Sequence, residues 1–226
     1  MLLSNFISYS QDFEDFILYY IFYDIPNGFY VDVGANDPNF ISVTKSFYER
    51  GWNGINIEPL PDKYHLLKKY RPRDINLNYG VGFIEGNSSL IEKGVQGVCS
   101  SLFYNRNLNN SKIINIQIKK MSKICKKYVP KGIQIQFCKI DVEMSEKNVL
   151  LGYDFVNYRP KVFCIESIVN TKQLDDILTK NDYNFAYKFG RNRFYYDNRI
   201  NGFKEKFNDI NKYVQIYKTK FLYLGK

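Results

Sequence analysis

The chain holds one histidine in 226 residues, no Cys-x-x-Cys pair and no apolar run long enough to cross a bilayer. His65 lies among basic neighbours in Asp-Lys-Tyr-His-Leu-Leu-Lys-Lys and reads as a surface residue. Cys99, Cys125, Cys138 and Cys164 have no metal-ligand spacing and no histidine-rich surroundings, so a Cys/His zinc centre has nothing to build from. Cys138 and Cys164 sit inside apolar runs, where a free thiol acts as a small hydrophobe. A reduced, cytoplasmic protein is therefore expected. The stretch Phe16–Tyr23 is too short for a membrane span, and the start lacks the basic and small-residue signals of a secretory leader, so neither is expected. Also missing is the G-x-G-x-x-G loop that cradles a pyrophosphate. Repeats and an internal boundary are absent too, so residues 1–226 are expected to form one domain.

What is present is an ordinary globular composition, 45% apolar and 24% charged, with a formal charge of +9. Such a surface attracts phosphates, nucleic acid or an anionic membrane face. Seven lysines and no acid occur between Lys112 and Lys131, and ten basic residues against three acidic ones follow from Lys188 onward. In so Lys-, Asn-, Ile- and Tyr-rich a chain, solvated helix faces account for much of this charge.

The most informative stretch is Gly28-Phe-Tyr-Val-Asp-Val-Gly-Ala-Asn-Asp, followed by Gly54-Ile-Asn-Ile-Glu-Pro. Phe29–Val33 has the β-rich, apolar character of a strand buried on both faces, and Gly34 permits the turn after it. Glu58 closes the next strand one strand–helix–strand step later, where a carboxylate can accept both hydroxyls of a ribose. Asp32 and Asp37 around the turn would repel a pyrophosphate but suit a cationic ligand. S-adenosylmethionine therefore fits, and NAD fits poorly. Gly34, Ala35 and Asn36 are expected to contact its amino-acid end through backbone, with Asp32 ordering the turn.

Along the chain, Ser10 reads as the N-cap of a first helix, and residues 42–50 and 62–70 as the next two helices. Strands are expected at 54–58, 75–81, 133–141 and 161–166, with helices at 147–151 and 174–180. Residues 184–188 and 193–196 read as a hairpin. Strand–helix alternation implies a parallel sheet with right-handed crossovers. Residues 83–111 lack periodicity and read as an irregular, substrate-facing lid.

Several segments together resemble the FkbM-type S-adenosylmethionine-dependent methyltransferases. They are Ser10-Gln-Asp-Phe-Glu-Asp, the Gly28–Pro38 stretch, Ser42 through Pro59, Arg71-Pro-Arg-Asp-Ile-Asn-Leu-Asn, Lys139-Ile-Asp-Val-Glu and Asn192-Arg-Phe-Tyr. They run in the family's order from about residue 9 to 197. Two positions depart from it: Phe13 and Met144 stand where family members usually carry glycine. The resemblance implies a class I methyltransferase fold, an α/β three-layer sandwich whose mostly parallel sheet ends in an antiparallel C-terminal strand. It also implies transfer of a methyl group to a sugar or polyketide hydroxyl during polysaccharide or metabolite assembly.

Asp141, Glu143 and Glu166 close two strands at the carboxyl edge, where open-sheet ligands bind, and are the expected catalytic residues. Asp141 is expected nearest the acceptor, as base or base-orienter, because an alcohol holds its proton tightly near neutral pH. Helix capping is the competing role for all three. They could instead hold Mg²⁺ through oxygen, but with no histidine in support a metal is not predicted. Gln11, Thr44 and Asp141 complete the expected cofactor set with Asp32, Gly34, Ala35, Asn36 and Glu58; Asp15 is expected either over the cofactor or in a cap. The expected acceptor is a sugar, a nucleotide-sugar or a lipid-linked glycan. Peripheral contact with an anionic membrane surface stays open, and DNA is not expected. Two alternatives remain, an RNA methyltransferase and a methyltransferase-like binding protein without turnover.

Overall fold

The computed structural model describes residues 6–93, 99–101, 111–167 and 171–215. Helix α1 (Glu14–Phe22) precedes strand β1 (Phe29–Val33), α2 (Lys45–Glu49), β2 (Asn53–Ile57), α3 (Pro61–Tyr70) and β3 (Ile75–Leu77). Next come β4 (Gly80–Val81), β5 (Gly86–Lys93), β6 (Cys99–Ser101), β7 (Ser111–Lys119) and α4 (Met121–Tyr128). The chain continues through β8 (Ile135–Ile140), α5 (Glu146–Leu151), β9 (Val162–Glu166), α6 (Thr171–Lys180), β10 (Tyr183–Phe189), β11 (Asn192–Asp197) and α7 (Phe203–Asn208).

Seven strands form the main sheet in the order β10-β11-β9-β8-β1-β2-β3. β1 pairs in parallel with β2 and β8, while β11 runs antiparallel to both β9 and β10. The reversal of strand order beside β1 opens a crevice at the carboxyl ends of β1, β2 and β8. β1, β8 and β9 are buried along their whole length, as strands covered on both faces must be.

Alternate strand residues feed two apolar clusters on opposite faces. Val31, Val33 and Cys138 pack with Ile124 of α4, Val149 of α5 and Leu178 of α6. Tyr30 and Phe137 pack with Phe16 of α1, Phe47 of α2 and Phe207 of α7. Trp52 is fully buried in the second cluster, and its ring fills the space a Cβ on Gly28 would need. Each such side chain contributes roughly 1.5–3 kcal/mol by leaving water, which makes the strand–helix interfaces the main stabilising term.

Several expected boundaries shift. α1 begins at Glu14, not after Ser10, and Phe13 before it has φ 58°. The Ser10 hydroxyl instead joins the loop bonded to Asp15. α1 is enclosed nearly all round rather than on one face, as a helix apolar on every side should be. The expected strand at 75–81 is two strands: β3 stays in the main sheet, and β4 pairs with β7 in a second one. β8 starts at Ile135 and stops at Ile140, leaving Asp141 beyond its end.

The largest correction concerns residues 83–111. Rather than being irregular, the segment supplies β5 and β6, which join β4 and β7 in a four-stranded sheet. β5 pairs with β7 from Gly86↔Ile118 to Lys93↔Ser111. Residues 94–98 and 102–110 of that segment lie outside the described residues. α4 and α7 fall in the two basic stretches read as solvated helix faces, for which no helix bounds were expected.

The opening loop and the start of β11 meet at the carboxyl edge of the main sheet. Glu14 Oε1 accepts a 2.7 Å hydrogen bond from Asn192 Nδ2, and Gln11 Oε1 one of 3.0 Å from Arg191 Nη2.

Candidate active site

At the carboxyl edge lies a cavity of about 420 Å³, lined from β1 by Val33 and Gly34, from β2 by Ile57 and Glu58, and from β8 and β9 by Lys139, Asp141, Glu143 and Glu166. Gln11, Asn36 and Arg191 also line it, and the second sheet forms one wall through Gly80, Val81, Leu90 and Ile116.

The turn after β1 is built tightly. Gly34 has φ 79°, and a Cβ there would collide with the Asp141 carbonyl. The Gly34 and Ala35 N–H groups both donate to Ile57 O, and Asn36 N–H donates to Glu58 Oε2 at 2.7 Å. The three amides expected to meet the ligand therefore already hold the turn. Glu58 Oε1 accepts from Leu60 N–H at 2.8 Å, so each carboxylate oxygen keeps one lone pair for a further donor. Burial pushes the Glu58 carboxyl up to about 7, against the pull of those two backbone donors. Asn36 Oδ1, at the cavity wall, is buried and makes no hydrogen bond.

Three of the expected cofactor residues sit beneath the cavity rather than in it. Ala35, Asp32 and Thr44 are buried, and Thr44 Oγ1 donates to Asp32 Oδ2 at 2.9 Å. Their role is to order the loop. Arg71, missed by sequence reasoning, secures the same loop: its guanidinium is buried and donates to Thr44 O, Pro38 O and Ser42 Oγ. Asp15 is fully buried and accepts from Ser8 Oγ, Tyr9 N–H and Ser10 Oγ, which removes it from the cofactor and makes it the organiser of the first loop.

Asp141, Glu143 and Glu166 do come together. One carboxylate oxygen from each lies within 4.8 Å of the others. None of the three caps a helix through a described hydrogen bond; Glu146 braces the turn before α5, accepting from the Val142 and Met144 amides. Glu143 and Met144 both adopt positive φ, 51° and 75°, which turns the Glu143 side chain back toward the cavity.

Two cations missed from the sequence organise this trio. Lys139 Nζ lies 3.0 Å from Asp141 Oδ2 and 3.9 Å from Asp32 Oδ1. Arg191 Nε lies 2.9 Å from Glu166 Oε1. The signals for Lys139 were its place in the family-like Lys139-Ile-Asp-Val-Glu segment and a charge inside an otherwise uncharged strand; Arg191 gave none, because only folding brings it to this edge. Burial would raise Asp141, but the Lys139 charge and a hydrogen bond from Glu166 outweigh it and hold the carboxyl below its usual range. Burial, then the bond to ionised Asp141, push Glu166 up to about 9. Burial and the Asp141 charge push Glu143 up to about 7. Near neutrality the Asp141–Glu166 pair thus shares one proton between its carboxyls, and Glu143 is poised to gain or lose one. Three oxygens so spaced suit a hard cation, yet Lys139 and Arg191 already balance their charge. His65 is exposed on α3.

A mostly parallel open sheet with a carboxylate-lined crevice at its switch point defines a Rossmann-like α/β protein. Residues 32–187 match the Methyltransferase FkbM domain, so the chain belongs to that family and is a methyltransferase. No curated protein and no solved structure matches the chain. Among the described residues no helix is long and apolar enough to cross a membrane.

Proposed function

We propose that the protein transfers a methyl group from S-adenosylmethionine to a hydroxyl of a sugar or glycan-like acceptor. The observation that carries this reading is a single cavity joining Glu58 on one side to the Asp141, Glu143 and Glu166 trio on the other. The residues fit the cofactor chemically. The lone pairs remaining on Glu58 suit ribose hydroxyls, and Asn36 Oδ1 is a buried acceptor without a donor, suited to an ammonium group. The three-layer arrangement accords with apolar clusters on opposite sheet faces.

When bound, the cofactor supplies an electrophilic methyl on a cationic sulfur. The protein's own contribution is alignment and proton removal. Glu143, shifted to about 7, is better matched than Asp141 as the group that takes the acceptor's proton at Oε. Asp141, kept ionised by Lys139, orients the acceptor and fixes the Glu166 proton. β5 and β7 shield the crevice from water on one side, which is how we read the lid.

Calorimetry with S-adenosylhomocysteine tests the cofactor half. Binding is expected, and Glu58→Gln should weaken it severalfold while leaving the melting temperature within a few degrees. Equal affinity in the variant overturns the placement. Labelled methyl transfer to a panel of sugars, nucleotide-sugars and lipid-linked glycans tests the acceptor half. Transfer to RNA alone would favour the nucleic-acid alternative.

A further inference from the structure

The turn between β4 and β5 carries exposed apolar side chains. Phe83 is 46% exposed and Ile84 is 77% exposed. Next to them, the outer face of α4 presents Lys123, Lys126 and Lys127. The two features form one surface. Lys120 Nζ lies 5.1 Å from the centre of the Phe83 ring, and its backbone N–H donates to Glu85 Oε1 at 3.3 Å. Lys123 pairs with the other Glu85 oxygen. Leu151, 43% exposed, joins the patch because Gly152 packs its backbone directly against Gly82 and Phe83.

We infer that this face docks on an anionic lipid surface, with Phe83 and Ile84 entering the headgroup region and the α4 lysines meeting the lipid phosphates. An exposed ring and aliphatic tip ringed by lysine is the pattern of peripheral insertion. Each lysine near an anionic surface adds about fivefold in partitioning. Glu85 is neutralised within the patch by Lys123. Asp154, close enough to act on Cys125 of α4, has its carboxylate engaged by the Val156 and Asn157 amides and the Asn157 side chain. Single-stranded nucleic acid is less suited to this face, because the cations described on it are all lysine, with no guanidinium to stack on a base. The site and the patch are neighbours in the chain. Gly80 and Val81 line the cavity, and Phe83 follows two residues later. Docking here would bring the cavity wall to the membrane, where a lipid-linked acceptor resides.

Co-sedimentation with vesicles reads this without any methyl transfer, so its failure leaves the cavity assignment untouched. The full chain should bind phosphatidylcholine vesicles containing phosphatidylglycerol, not phosphatidylcholine alone, and binding should weaken as salt rises. Ile84→Asp and the pair Lys126→Glu with Lys127→Glu should each lower binding at least about tenfold with unchanged circular dichroism. All three changes fall on exposed positions, as does Phe83→Ser, which serves as a second apolar variant. Absence of binding to anionic vesicles overturns the inference. So does binding that ignores Ile84→Asp and Phe83→Ser, or that single-stranded RNA displaces.

Discussion

Lys139 stands opposite Asp32 as its register partner across β1 and β8, with its ammonium 3.9 Å from Asp32 and 3.0 Å from Asp141. One buried cation thus ties the floor under the loop to the acid at the cavity wall. Both carboxylates raise its affinity for the proton despite its burial, so it stays charged.

Replacing Lys139 with Met should therefore destabilise the fold by on the order of 3 kcal/mol, because two buried carboxylates lose their counter-charge. Adding Asp141→Asn should recover part of that loss. Urea denaturation of the single and double variants checks both.

Transfer rate should rise with pH through about 7, as Glu143 loses its proton. Glu143→Gln should lower kcat by about a hundredfold or more and remove that limb. Homocysteine-nucleoside affinity should hardly change. Labelled methyl transfer across pH, beside calorimetry, separates the two effects.

Stability should fall as pH rises. Burial lifts Asp15 to about 6, Glu58 to about 7, and Glu166 to about 9, each above its unfolded value. The folded state then binds more protons than the unfolded one from about pH 4 upward, so each group's contribution is full below its unfolded pKa and is lost as pH climbs through the folded one. The melting temperature at pH 5 should exceed that at pH 7.5. Glu166→Gln should flatten the part between 7 and 9. Asp197, held near 2 despite burial by Arg159 and Arg199, is ionised throughout this window and adds no slope.

Met144→Gly should stabilise the protein by up to about 1 kcal/mol, since φ 75° strains any side chain and Met144 is 60% exposed. Phe13→Gly relieves similar strain but gives up packing against the apolar cluster around α1, so its melting temperature should not rise. Thermal unfolding of both variants checks the contrast.

These two positions show how far the sequence could be read. The family's glycines at 13 and 144 fall where the backbone turns left-handed, so the departures from glycine marked strained positions whose angles the fold then shows. β1, β2 and Glu58 were legible because buried parallel strands are continuous apolar runs with a defined end. The second sheet was not. β5 pairs with β7 across a long stretch, and Asn87, Ser88 and Ser89 dilute its alternation. The carboxylates were found by their place at strand ends, whereas Lys139, Arg71 and Arg191 act only through partners that the fold brings near.

The bonds from Gln11 to Arg191 and from Glu14 to Asn192 have a consequence for biosynthesis. A nascent polypeptide that has not yet reached residues 191 and 192 lacks the Arg191 partner of Glu166 and two of the bonds that fasten its opening loop. On the ribosome, then, the crevice stays incomplete until that stretch has been translated.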